Sequence, residues 1–247
     1  MSWEAGHQQR NFKKCRSNEE LSQLTGFLEE KDAKIALYEF LRNNMTFAAD
    51  LMLGVKLFPF QHMAVKSMFE TDYFLGVWSR GMSKSFTTGI YAALDAVLNQ
   101  GVEIGIISKS FRQAKMIFKK IEDIAAKPEA GFFRQCITKT SKSNDEWLME
   151  IGQSRIRALP LGDGEKLRGF RFHRIIIDEF LLMPERIYNE VIVPFLSVVE
   201  NPTQRDELYK LETILIEEGK MQESERYVWP NNKLIALSSA SYKFEYL

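Results

Sequence analysis

The stretch WSRGMSKS, Trp78 to Ser85, ends in a Lys-Ser pair. Such a pair closes the loop pattern G-x-x-x-x-G-K-[ST]. In that loop backbone N–H groups cradle phosphates, the lysine reaches the β- and γ-phosphates, and the hydroxyl binds Mg2+. Aligned on Lys84 and Ser85, the two glycine positions hold Trp78 and Ser83, and Gly81 alone remains inside to relax the backbone. A phosphate loop also needs a strand that delivers it, a turn with inward N–H groups, and a helix whose N-terminus points at the anion. The apolar run YFLGVW (73–78) supplies a buried strand, 79–84 the turn, and a helix starts at Ser85. On this reading Ser79, Arg80, Gly81, Met82, Ser83, Lys84 and Ser85 surround a nucleotide's phosphates. The plainer reading is a β–α turn with a surface lysine.

A second stretch, RIIIDEF, ends an apolar run in Asp178 and Glu179. A buried strand that ends in two carboxylates suits a triphosphate site. Asp178, with Ser85, would hold the Mg2+ shell, and Glu179 would orient and deprotonate the attacking water. Alone, it is equally a strand ending at a solvated acidic turn. Both stretches in this order, on strands of one sheet, favour a nucleoside triphosphate site. A third stretch, FPFQ, ends in Gln61, whose carboxamide can pair with the N6/N7 edge of adenine. Phe60 or Phe58 would stack on the base, or Phe58 packs under the following helix.

The elements that must position these residues alternate. Ile35, Tyr38 and Leu41 recur at helical spacing over 31–43, MTFAADLML continues as a second helix, and Pro59 opens a third. After strand 73–78, Ile90, Ala93, Leu94, Val97 and Leu98 mark one helical face ending at Gly101. VEIGIIS (102–108) reads as a strand, and Phe111, Ala114, Phe118, Ile121 and Ala125 as the face of a helix. EWLMEI and SRIRALP look like a two-stranded excursion. HRIIID (173–178) and KLIALSS (233–239) are further buried strands, separated by PERIYNEVIV, interrupted at Pro194, and by a charged helix around 204–222. Strands alternating with helices predict an α/β fold with a mostly parallel central sheet flanked by helices. Residues 1–56 read as a polar arm and helical extension, and 57–247 as the nucleotide-binding domain.

Composition limits the function classes. Lys+Arg and Asp+Glu number 33 each in 247 residues, so no global field holds a polyanion, and nucleic-acid contact needs a local patch. Cys15 and Cys136 fit a reducing compartment and form no metal cluster. No apolar run reaches membrane-spanning length, and the first residues carry no signal-peptide segment. The expectation is a soluble protein with no membrane partner.

The order FPFQ, SRGMSKS, IIIDEF, LSSAS resembles the ATPase domain of large terminase subunits, the DNA-packaging motors of tailed bacteriophages and related viruses. The resemblance covers about 58–241. That family carries deviant phosphate loops, often with an arginine four residues before the lysine, here Arg80. It implies a RecA-like P-loop NTPase fold, ATP and Mg2+ as cofactors, and translocation of double-stranded DNA into a procapsid through a portal protein. It further implies a small terminase subunit as partner, a homo-oligomeric ring and a location in the host cytoplasm. Ser238, Ser239 and Ala240 fall where the family has its coupling motif. Arg168, in the basic loop LGDGEKLRGFRFHR, matches a recurring Arg-Gly and would reach a neighbour's site as an arginine finger; Arg171 and Arg174 compete for the role. Lys109, Arg112 and Lys115 lie on the outward side of their helix, as a DNA contact or as a solvated face. The family's nuclease domain has no counterpart before Leu247, so an ATPase unit without nuclease activity is expected. The rival readings are a helicase-like DNA-dependent ATPase and an inactive nucleotide-gated adaptor.

Overall fold

The computed structural model describes residues 30–162, 167, 169–196, 202–227 and 231–239. The arm expected before residue 26 lies outside them. Three helices come first: α1 (Glu30–Asn43), α2 (Met45–Leu53) and α3 (Pro59–Glu70). Pro59 stands at the first position of α3, where its missing N–H costs nothing and its φ is already helical. The α/β alternation follows as β1 (Tyr73–Trp78), α4 (Lys84–Leu98), β2 (Glu103–Ser108) and α5 (Phe111–Ala125). Then come α6 (Gly131–Cys136), β3 (Ile137–Lys142), β4 (Trp147–Ile151), β5 (Ser154–Pro160), β6 (Arg174–Asp178), short helical turns between Phe180 and Leu196, α7 (Pro202–Glu217) and β7 (Lys233–Ser239).

One seven-stranded sheet has the order β1-β7-β6-β2-β5-β4-β3. The first five strands in that order are parallel. The expected two-stranded excursion is three-stranded: β4 returns antiparallel to β5, and β3 pairs antiparallel to β4 at the edge. β3, ITKTSK, is exposed along nearly its whole length and has no apolar alternation, which is why the sequence hides it.

Period-two alternation splits the interior into two layers. Ile104, Ile106, Ile176, Ile235 and Leu237 face one core with the helices α2, α4 and α5. Ile107, Ile175, Ile177 and Leu234 face a second core closed by Phe172, Val191, Ile192 and Phe195. Strands covered on both faces read as continuous apolar runs, as a parallel sheet requires. Gly105 allows this closure, since a Cβ there would stand 3.0 Å from the Phe172 ring. The spacing in α4 predicts one buried stripe, yet every residue from Thr87 to Leu98 is buried. Enclosure by α2, α3 and α5 as well as the sheet removes the solvent face that the pattern presumes.

Candidate functional site

The parallel strands β1, β7, β6 and β2 end along one edge, and the chemically equipped residues collect there. Trp78 is paired with Ser239, and Ser108 with Asp178. The turn after β1 relies on two residues in the left-handed region, Gly81 at φ 85° and Ser83 at φ 55°. Ser83 occupies the last glycine position of the phosphate-loop pattern and adopts the conformation a glycine there ordinarily supplies. α4 begins at Lys84, one residue earlier than the sequence suggests, and Ser85 stands in its first turn.

Lys84 reaches across this edge. Its Nζ lies 2.9 Å from Asp178 Oδ1, 2.9 Å from Glu179 Oε1 and 3.3 Å from Ser239 Oγ. Ser239 Oγ also donates to Glu179 Oε1 at 2.9 Å. The Lys84 and Asp178 side chains are only 13% and 8% exposed, so the contact is shielded from water. Burial disfavours the Lys84 ammonium, but the Asp178 and Glu179 carboxylates outweigh it and raise its pKa. Burial likewise pushes Glu179 up, and the hydrogen bonds from Lys84 and Ser239 outweigh that and hold it below the usual carboxylate range. Glu179 has φ 55°, and its N–H bonds back to Asp178 Oδ1 at 3.1 Å. The loop, the end of β6 and the end of β7 thus converge through side chains 60 to 155 residues apart in sequence.

A divalent cation fits the donor chemistry here. Asp178 and Ser85 offer hard oxygens, and Mg2+ ordinarily takes one or two carboxylates, substrate phosphates and water. No group of three or more His, Cys, Asp or Glu suited to an all-protein metal cage occurs among the described residues.

Gln61 and Phe60 belong to the N-terminal turn of α3. α3 packs on α4 and on β1. Gln61 is buried, and its Oε1 accepts the Phe58 N–H at 3.0 Å. That bond caps the helix and leaves the amide nitrogen as the group free for a base edge. Phe58 and Phe60 stack on each other at 6.2 Å and remain exposed.

Lys109 and Arg112 are exposed at the start of α5. The Lys115 ammonium instead lies over the rings of Phe111 and Trp147, at 4.0 and 4.9 Å. Arg174 is removed from the contest for an arginine finger: it opens β6 at the opposite edge from Asp178 and is buried against Asp95 at 3.0 Å. Arg171 is exposed. Arg168 and Ala240 lie outside the described residues, and Ser238 is buried in β7. Two polar residues of this edge escape the sequence reading: Ser108, fully buried, and Gln113, whose Oε1 lies 2.9 Å from Ser108 Oγ. Only the strand ending at Ser108 beside Asp178 could have drawn attention to them. No helix among the described residues is long and apolar enough to cross a membrane.

Residues 75–195 match the family model described as terminase large subunit, T4-like-virus type, N-terminal. No curated protein sequence matches the chain. Among solved structures, the ATPase domain of the Thermus phage P74-26 large terminase is 18% identical with a TM-score of 0.51, over 78% of this chain and 84% of that one. The large terminase of bacteriophage HK97 is 16% identical with a TM-score of 0.48, over 74% of this chain. This chain spans only 33% of the HK97 protein's length. The likeness to the P74-26 domain shows the fold, a RecA-like α/β sheet flanked by helices.

Proposed function

We propose that this chain, which matches the large-terminase N-terminal family model over residues 75–195, is the ATP-hydrolysing unit of a motor that moves double-stranded viral DNA into a procapsid. The observation that carries this reading is the convergence of Lys84, Asp178, Glu179 and Ser239 at one sheet edge. The main chain of 79–83 would hold the phosphates, with Ser79, Gly81, Met82 and Ser83 supplying N–H groups at the N-terminus of α4. Lys84 would leave the carboxylates for the β- and γ-phosphates. Ser85 and Asp178 would hold Mg2+, which when bound neutralises phosphate charge.

Glu179 is the general base in this scheme. Its depressed pKa keeps it ionised at neutral pH, and Ser239 fixes the oxygen that accepts the proton of the attacking water. Because Ser239 ends β7, a shift of that strand alters the hold on Glu179. This gives the Ser238–Ser239–Ala240 segment a physical route to couple hydrolysis to movement. Phe60 and the free amide nitrogen of Gln61 would face the adenine. Lys109 and Arg112, both exposed, are better placed for DNA phosphates than Lys115, whose charge already rests on two rings.

Arg80 would act on the nucleotide of its own chain, and Arg168 on a neighbour's within a ring that also meets the portal and a small subunit. A finger of that kind is worth about 10³–10⁵ in rate. Mixing separates the two: Lys84→Ala subunits should restore turnover to Arg168→Ala subunits but not to Arg80→Ala subunits. We place the nucleotide-binding domain at 57–247, with 1–56 as its extension. The test is steady-state ATP hydrolysis with Mg2+. Turnover that is absent from wild type, or unchanged in Lys84→Ala, would overturn this function.

A further inference from the structure

Ser108 closes β2 and pairs across the sheet with Asp178, the last residue of β6. Its Oγ lies 2.9 Å from Gln113 Oε1 and 3.3 Å from the carbonyl oxygen of Asp178. A serine hydroxyl carries one hydrogen and so donates to only one of these. Turning the Gln113 amide end for end satisfies both contacts: its NH2 then donates to Ser108, and Ser108 donates to the Asp178 carbonyl. In the turned arrangement a continuous line of hydrogen bonds runs from the first turn of α5 to the peptide that joins Asp178 to Glu179.

That peptide is under strain. Glu179 has φ 55°, in the left-handed region, which is unfavourable for a non-glycine residue. Such a conformation persists only where its surroundings over-determine it. Three contacts do so here. Asp178 Oδ1 accepts the Glu179 N–H, Ser239 holds Glu179 Oε1, and Ser108 approaches the carbonyl oxygen of the strained peptide. The first two are internal to the hydrolytic cluster. The third leads out of it, through a fully buried hydroxyl, into α5.

We propose that Gln113 is a positioning residue for hydrolysis, acting through Ser108 to fix the Asp178–Glu179 peptide and so the direction in which the Glu179 carboxylate points. The proposal rests on Glu179 being the general base. It makes Gln113 irrelevant to nucleotide affinity and important for the chemical step. The placement of α5 against the sheet then sets the alignment of the base, because the two residues Lys109 and Ser110 alone separate β2 from α5.

The experiment compares wild type, Gln113→Ala, Ser108→Ala and the double variant. It measures ATP affinity with a fluorescent ATP analogue, single-turnover hydrolysis with Mg2+, and melting temperature. Gln113→Met, of similar length but without the amide, stands in should the alanine variant fail to fold. Loss of Gln113 should leave affinity and melting temperature near wild type while slowing single-turnover hydrolysis on the order of 10- to 10²-fold, the scale of a small misplacement of a reacting group. The double variant should be no slower than the slower single variant, since both cut the same line. Wild-type hydrolysis in Gln113→Ala, a matching loss of affinity, or multiplicative effects in the double variant would each overturn the proposal while leaving the ATPase reading intact. A wild type that binds but never hydrolyses ATP would instead overturn the role of Glu179, and this proposal with it.

Discussion

Lys84 Nζ and Asp178 Oδ1 meet at 2.9 Å, joining the first residue of α4 to the last residue of β6. The ammonium stands against the carboxylate proposed to hold the cation, so it serves as counter-ion until nucleotide and Mg2+ arrive. Lys84→Ala should abolish hydrolysis and weaken ATP binding. It should also leave Asp178 and Glu179 side by side without a counter-charge. Mg2+ alone should therefore raise the melting temperature of the variant more than that of wild type, by mass action on a newly opened acidic pair. Thermal denaturation with and without Mg2+ checks this. An equal response of both proteins would mean that the lysine does not cover the cation's place.

Glu179→Gln separates binding from chemistry. The carboxamide can still accept a hydrogen bond from Ser239 but cannot take a proton. ATP affinity should stay near wild type while hydrolysis slows by about 10²–10⁴. The pH dependence has a definite sign. Burial opposes the Glu179 charge, Lys84 and Ser239 favour it more strongly, and the net folded-state pKa lies below its ordinary value of 4.5. A depressed carboxylate adds stability that is fully present above the unfolded pKa and is lost as pH falls through the folded one. In the nucleotide-free protein, Glu179→Gln should therefore narrow its gap to wild type on acidification below that ordinary value. Urea unfolding across the acid range measures it. A gap that widens with acid would reverse the assigned direction.

The sequence makes the alternating sheet and the two candidate-site stretches legible because both depend on local pattern. Buried parallel strands are continuous apolar runs, and Lys84–Ser85 and Asp178–Glu179 are each contiguous pairs at strand ends. What stays hidden depends on distant neighbours. The burial of α4 on all sides needs α2 and α3 in place, and β3 earns its place only by pairing with β4. The capping bond of Gln61 and the rings beneath Lys115 change what those side chains can offer, and no spacing rule reveals them. Arg174 looks like one of several neighbouring arginines until its burial against Asp95 is seen.

Ser83 tests the missing glycine directly. At φ 55° a side chain costs roughly 1 kcal/mol or more, and glycine removes that cost while adding about 0.5–1 kcal/mol of unfolded-state entropy. The two nearly cancel, so Ser83→Gly should fold with a stability within about 1 kcal/mol of wild type and keep its turnover. Ser83→Val places a β-branched residue where positive φ is least tolerated. It should lose stability and disturb the turn before Lys84, with weaker ATP binding as the readout. If Ser83→Val melts and binds like wild type, the loop does not depend on this conformation.

The pair Asp95–Arg174 separates stability from chemistry at the opposite end of β6. Arg174 Nε meets Asp95 Oδ2 at 3.0 Å, with side chains 2% and 1% exposed. Asp95 also accepts from Tyr91 and Asn99, and Arg174 donates to the His173 and Asn231 carbonyls. Removing one partner strands a buried charge, so Asp95→Ala should cost about 3–5 kcal/mol, measured by urea unfolding. Replacing both with apolar residues of similar bulk, Asp95→Leu with Arg174→Met, removes the stranded charge along with the attraction. The double variant should recover much of that loss. Its ATP turnover per folded molecule should match wild type, because this pair stands at the edge away from Lys84 and Glu179. An Arg174→Met, Asp95→Leu protein that folds but fails to hydrolyse ATP would return Arg174 to the candidates for a catalytic arginine.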